Sequence, residues 1–301
     1  MRSAPFIAVI ATVVVIGVAG CSAGSSPAGS DTAPASTAPS SATQSDAPTQ
    51  PGATGATLGQ LGHIHAIDGD GEILLASHHG IYRLDVGGTL DGPIGGDDFD
   101  GMGFTVVGST LFASGHPGSQ TPAELGSPNL GIIRSDDGGR SWSPVAFTSE
   151  ADFHVLTASP DGTLHGITTS SPALRSSADA GVSWTTGSEL AAVDLAASDT
   201  RVFAATEQGV QVSDDGGVSF TLLDGAPLLY TIEVLGDGSL VGVDTNGVVQ
   251  RQATDGWQQL GSTVGAAGAF GVVGDDRILA IDERGIVEIT DGEAVVLVPT
   301  G

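Results

Sequence analysis

A repeat organises this 301-residue chain more than any other feature. Six times, a short run of β-formers is followed by a loop and then by a small residue, usually Gly, β-formers and a polar side chain. The copies are Leu74-Leu75-Ala76 with Gly80-Ile81-Tyr82-Arg83, Leu111-Phe112-Ala113 with Gly131-Ile132-Ile133-Arg134, and Leu164-His165-Gly166 with Ala173-Leu174-Arg175. They continue as Val202-Phe203-Ala204 with Gly209-Val210-Gln211-Val212, Leu240-Val241-Gly242 with Gly247-Val248-Val249-Gln250, and Ile278-Leu279-Ala280 with Gly285-Ile286-Val287-Glu288. A spacing of roughly 40 residues is the size of one four-stranded antiparallel unit.

The local chemistry agrees. Short stretches of Val, Leu, Ile and Thr are punctuated by Asp-Gly and Gly-Gly, which read as strands and tight turns. No segment sustains a capped 3.6-residue period, so the chain is expected to be all-β. Six such units closed radially make a β-propeller of four-stranded blades, which buries the sheet faces and leaves only short edges. A seventh blade would have to draw on residues already assigned, so seven ranks second. The inner strands are expected at His63 to Ile67, Gly103 to Val107, His154 to Ala158, Ala192 to Ala196, Tyr230 to Val234 and Ala269 to Val273. A closed ring needs no partner for its edges, and a monomer is expected.

Three copies carry a sharper motif, Ser-x-Asp-x-Gly-x-Ser-aromatic. It runs Ser135, Asp137, Gly139, Ser141, Trp142; then Ser177, Asp179, Gly181, Ser183, Trp184; then Ser213, Asp215, Gly217, Ser219, Phe220. Worn copies stand at Thr254-Asp255-Gly256-Trp257 and Thr290-Asp291-Gly292. The motif resembles the Asp-box, or bacterial neuraminidase repeat, of sialidases and many other propellers. That resemblance implies turns between third and fourth strands, away from any active site. The residue chemistry reads the same way: Asp accepts bonds from its own turn's amides, Gly takes positive φ, and the aromatic packs inward. These residues are expected to be structural.

The first twenty residues are expected to be a targeting leader. Arg2 gives a positive n-region, and Phe6 to Val18 is an uncharged apolar run too short to span a bilayer comfortably. It ends in Val18-Ala19-Gly20-Cys21, which resembles the lipobox of bacterial lipoproteins. The resemblance implies cleavage before Cys21, lipidation of its thiol, and residence on the extracytoplasmic face of the cell membrane. Cys21 is the only cysteine, so no intrachain disulfide is possible. From there to residue 57 the chain is almost entirely Ser, Ala, Thr, Pro, Gly, Gln and Asp, the composition of a disordered tether. The expected organisation is therefore a signal peptide at 1–20, a lipidated cysteine with tether at 21–57, and a propeller at 58–301.

Thirty-five acidic residues face nine arginines and no lysine, a formal charge of -26. Such a surface repels phosphate backbones and makes nucleic acid a poor partner. The seven histidines are confined to residues 63–165, the first three blades. His63, His65 and His154 fall where inner strands start. His78, His79 and His116 fall in loops joining second to third strands, which open on the same face. His165 is expected mid-strand as a core residue. Period-two alternation sets His63 and His65 on one side of a strand. Two imidazoles and a third donor from a neighbouring blade suit Zn or Cu. Asp97, Asp98, Asp100, Glu150 and Asp152 lie in the same loops.

The lipobox, tether, His63-Ile64-His65 opening, Gly115-His116-Pro117 and Asp152-Phe153-His154 together resemble a group of actinobacterial Asp-box lipoproteins, often labelled glycosylhydrolases. The fold also resembles the propeller assembly factor of photosystem II and sortilin-type receptors. Sialidase chemistry would require an arginine triad around a carboxylate, an Arg-Ile-Pro signature and a Tyr–Glu pair. The signature is absent, and Arg83, Arg134 and Arg175 occupy one repeated third-strand position. The first expectation is thus a membrane-anchored binding or assembly propeller with a protein or glycan ligand and a histidine-lined metal site. The alternative is a glycoside hydrolase using carboxylates among Asp98, Asp100, Asp152 and Asp194.

Overall fold

The computed structural model describes residues 55–290 and 292–300. The expected leader, Cys21 and most of the expected tether lie outside the described residues, as does Asp291 of the last worn motif. Twenty-four strands form six antiparallel sheets, each of four strands consecutive in sequence. This is a six-bladed β-propeller. The inner strands are Ile64–Asp68, Asp100–Val107, Phe153–Ala158, Ala192–Ala197, Leu229–Val234 and Ala269–Val273. Five begin within one residue of the expected position. The second begins three residues early, at Asp100, because Asp100 still pairs with His116 across to the next strand. Before the first blade, Ala56 bridges to Leu90 of that blade's outermost strand, and one turn of helix, Leu58–Leu61, follows.

The hydrophobic core is six clusters, one at each blade-to-blade interface. In the second strand of blade 1, Leu74 and Ala76 pack toward blade 2 with Phe99, Phe104 and Ile133, while Ile73 and Leu75 pack toward blade 6 with Val273 and Leu279. Blade 4 divides the same way: Val202 and Ala204 face blade 3, and Phe203 and Ala205 face blade 5. Alternation thus loads both faces of a strand buried along its whole length. Each large aliphatic removed from water contributes about 1.5–3 kcal/mol.

Among the described residues no sheet mixes strands from the two ends of the chain, and there blade 1 packs directly on blade 6. Contact there is tight enough to demand glycine: a Cβ on Gly271 would lie 2.1 Å from the Ile67 carbonyl oxygen. Gly103 serves the blade 2–3 junction in the same way, 2.3 Å from the Phe153 oxygen. Polar clamps add to the packing. Asp68 accepts the Val106 amide of the next blade at 2.7 Å, and Asp194 accepts the Ile232 amide at 2.9 Å and the Thr231 hydroxyl at 2.7 Å.

The three motif copies sit between third and fourth strands. In the first, the Ser135 hydroxyl donates to Asp137 and accepts the Gly139 amide at 2.8 Å, while Asp137 accepts the Ser141 amide at 2.9 Å and its hydroxyl at 2.6 Å. The second and third copies repeat every bond. Trp142 packs edge-on to Phe99, and Trp184 lies against Phe147 and Phe153. Antiparallel order sends these turns to one end of the blades and the second-to-third-strand loops to the other. Six of the seven histidines belong to the latter face, and His165 is buried within a strand.

Candidate functional site

The inner strands share an irregularity that decides what faces the channel. Register against the second strand slips at the start of five of them, leaving His65, Met102, His154, Val193 and Tyr230 as the extra residue of a β-bulge. A bulge adds one residue on one strand and re-aims its side chain. All five of these residues line the central channel, a cavity of about 990 Å³. Two of the five are histidines. Simple alternation predicts that His63 and His65 share a strand side; they do meet, but through the bulge at His65, with His63 just ahead of the strand.

His65 anchors the first cluster. His63 Nδ1 lies 3.2 Å from His65 Nδ1, and His65 Nε2 lies 3.3 Å from His78 Nδ1. Asp100, the first residue of blade 2, brings one oxygen to 2.9 Å from His78 Nδ1 and 3.3 Å from His65 Nε2. Ring nitrogens this close must share a proton or a cation. Local backbone fixes the arrangement: the His78 amide donates to the His63 carbonyl at 3.0 Å, and Gly62 takes φ 70°, where a Cβ would crowd the His78 side chain at 3.2 Å. Burial holds the His65 pKa down at about 4, against the pull of Asp100 and with the help of neighbouring imidazoles. His65 is therefore a neutral donor at pH 7. His63, His65 and His78 each offer a ligand atom within 4.8 Å of the others and could hold a metal ion.

The second cluster joins blades 2 and 3. Asp152 Oδ2 lies 2.5 Å from His154 Nε2 and 3.3 Å from His116 Nε2, and the three could likewise hold a metal ion. The two clusters are neighbours, because Asp100 of the first and His116 of the second are cross-strand partners in blade 2. Gly115 permits that pairing: a Cβ there would lie 1.9 Å from the Asp100 carbonyl oxygen.

The remaining candidates separate cleanly. His79 is exposed and belongs to neither cluster; its amide donates to Ser77 Oγ at 3.2 Å. His165 is buried mid-strand between Ser159 and Ser176 hydroxyls, at 3.2 and 2.9 Å, and burial lowers its pKa to about 4. Asp98 accepts the amides of Ser119 and Gln120 and the Ser119 hydroxyl; although burial raises its pKa, these bonds prevail and lower it overall. Asp194 is the inter-blade clamp described above, and burial raises its pKa to about 6. Arg83 pairs with Glu72, Arg134 with Asp136, and Arg175 stacks over Phe147, so no arginine triad forms. Tyr230 accepts the Ala267 amide. Sequence reasoning passed over Asp68, whose pKa burial raises to about 6, and gave Glu233 no role; burial and the charges of Asp194 and Asp68 push Glu233 well up. The available signal was an acidic side chain on an inner strand that is otherwise apolar.

Fold and site together define the class of molecule: a six-bladed propeller whose first three blades carry a histidine–carboxylate mouth. Comparison extends this only as far as the fold. Gluconolactonase from Xanthomonas campestris aligns with a TM-score of 0.56 at 12% identity, over 76% of this chain and 86% of its own. The GH74 enzyme of Niastella koreensis aligns at 0.54 and 16% identity over 80% of this chain but 45% of its own, so the chain spans less than half of that protein. A catalytically inactive virginiamycin B lyase from Staphylococcus aureus, solved with quinupristin, aligns at 0.50 and 13% identity over 80% of this chain and 86% of its own. No family model matches the sequence, and no curated protein matches it.

Proposed function

We propose that this chain is a lipid-anchored binding propeller of the Asp-box lipoprotein kind, held outside the cell membrane through Cys21, and that it binds a divalent transition metal at His63, His65 and His78 with Asp100 as fourth donor. The observation that carries the metal is the convergence of three imidazoles within 4.8 Å on the channel mouth. Three nitrogens and a carboxylate oxygen suit Zn or Cu, and the neutral state of His65 leaves a lone pair free for the ion. The anchor rests on the run from Arg2 through Val18-Ala19-Gly20-Cys21 and on the Ser/Pro/Thr-rich stretch behind it.

The glycosidase alternative is the weaker reading. It needs two carboxylates free to act as acid and as base or nucleophile. Asp98 is bound into its loop, Asp194 clamps two blades, and Asp100 and Asp152 are engaged by histidines.

One preparation tests both parts of the proposal. Full-length protein from membranes is expected to bind Zn or Cu tightly, to lose at least one equivalent in His63→Ala and His65→Ala, and to move to the soluble fraction in Cys21→Ser. A clean metal assay sinks the ligand assignment. Membrane retention of Cys21→Ser sinks the anchor.

A further inference from the structure

The histidines of blade 3 repeat the geometry of blade 1, and one atom among them is left in a state that a metal ion resolves. In blade 1 the bulge residue is His65, and the residue two before it is His63. In blade 3 the bulge residue is His154, and the residue two before it is Asp152. A residue at the end of a second strand or in the loop after it completes each set: His78 in blade 1, and His116 of blade 2 for the second. The equivalent positions of blades 4 and 5 hold Ala191 with Val193 and Leu228 with Tyr230. Donor chemistry has thus been placed at one repeated structural position, in the first three blades only.

The protons of the second set can be assigned from its partners. His116 Nδ1 lies 3.1 Å from the Pro128 carbonyl oxygen, which only accepts, so Nδ1 carries the hydrogen. In the neutral ring Nε2 then bears a lone pair, and it faces the Asp152 carboxylate at 3.3 Å. With that nitrogen unprotonated, two lone pairs face each other there, and a cation between them is bound by both. A backbone carbonyl holding the far nitrogen of a histidine is also the usual outer support of a metal-binding imidazole. Asp152 is 4% exposed, and its second oxygen, Oδ1, is buried with no hydrogen-bond partner. A buried carboxylate oxygen left unpaired has lost its hydration with nothing in exchange. One cation among His116 Nε2, His154 Nε2 and Asp152 Oδ2 takes up the lone pairs that face one another, and a carboxylate bound through both oxygens would satisfy Oδ1 as well.

We infer that His116, Asp152 and His154 form a second metal centre, a site of two imidazoles and one carboxylate for a borderline divalent ion such as Zn²⁺ or Co²⁺. Three protein donors leave one position of a tetrahedral ion for water, and His154 sets that position on the channel. The second centre shares no ligand with the first, so the two assignments fail separately.

Zn²⁺ and Co²⁺ titration of the purified full chain, followed by calorimetry and visible absorption, tests it. Wild type is expected to take two equivalents. His116→Ala and His154→Ala are each expected to take one, and so is His65→Ala, with all three keeping the wild-type far-UV spectrum. His116 and His154 lie outside the buried core, which protects the test against simple misfolding. In the His65→Ala chain, which keeps only the second centre, azide is expected to change the Co²⁺ spectrum by entering the open position. One equivalent in wild type, lost in His65→Ala and kept in His154→Ala, overturns the second centre while leaving the first standing. Two equivalents kept in both His116→Ala and His154→Ala also overturn it. A Co²⁺ spectrum indifferent to azide overturns the open position.

Discussion

In each motif copy one serine and one aspartate satisfy a whole turn. Ser213 Oγ donates to Asp215 and accepts the Gly217 amide, and Asp215 accepts both the amide and the hydroxyl of Ser219. Bonds from Ser219, from its hydroxyl first and then its amide, hold the Asp215 pKa down at about 2. A carboxyl depressed in the folded state contributes stability that is full above its unfolded pKa and lost as pH falls through the folded value. Asp215→Ala is therefore expected to melt below wild type at pH 7, and the gap between the two melting temperatures should narrow at about pH 2.5. An unchanged gap at the lower pH would place the effect elsewhere than in the ionised carboxylate. Such motifs are legible in sequence because every partner lies within four residues. The metal clusters are legible only in part. His63, His65 and His154 announce themselves at inner-strand starts, but Asp100 and Asp152 read equally well as glycosidase acids. Their partnership with histidines depends on inter-blade packing and on bulges, and neither leaves a periodic trace.

Among the elements, the inner strands carry the tightest constraint, since six of them must approach one axis. Their positions follow from the β-former runs, which place all six with an error of at most three residues. Which of their residues meet a neighbouring backbone does not follow, because contact between blades is set by the ring and not by the strand. Gly271 illustrates the point. Its φ is not in the left-handed region, so alanine would cause no backbone strain there, but its Cβ would stand 2.1 Å from a carbonyl oxygen of blade 1. Gly271→Ala is expected to cost about 2–3 kcal/mol by overpacking, since neither strand can withdraw without parting the closure. Gly59→Ala, whose Cβ would meet nothing within 4 Å, serves as the control and is expected to be neutral or up to about 1 kcal/mol stabilising. Urea midpoints for the two variants check both values. A Gly271→Ala midpoint equal to wild type would mean that the ring tolerates more space at its closure than the blade 1–6 packing implies.

At the scale of the whole molecule, titration pulls stability two ways. The channel collects Asp68, Asp194 and Glu233 in a chain of formal charge -26. Burial raises Asp68 and Asp194 to about 6, and burial together with the other two charges pushes Glu233 well above the usual carboxylate range. A carboxyl raised in the folded state contributes stability that is full below its unfolded pKa and lost as pH climbs through the folded value. Between pH 7 and about pH 5 each of the two aspartates should gain about 1 kcal/mol, while the falling net charge eases self-repulsion. His165 opposes them. Burial depresses it to about 4, with Asp161 pulling weakly the other way, so the folded state loses about 2 kcal/mol over the same interval as the unfolded ring takes its proton. His65, which burial also holds at about 4, adds a similar loss, so wild-type stability is expected to fall from pH 7 to pH 5 by an amount that the raised Glu233 lessens. His165→Gln keeps hydrogen-bonding groups near Ser159 and Ser176 but cannot titrate, so on acidification its stability should rise by about 2 kcal/mol relative to wild type. Adding Asp194→Asn, whose amide oxygen can still accept from Ile232, should remove about 1 kcal/mol of that rise. Urea unfolding of metal-free protein at the two pH values measures each slope. If adding Asp194→Asn leaves the His165→Gln slope unchanged, the Asp194 carboxyl is solvated well enough to titrate as a free carboxylate, and its clamp owes nothing to burial.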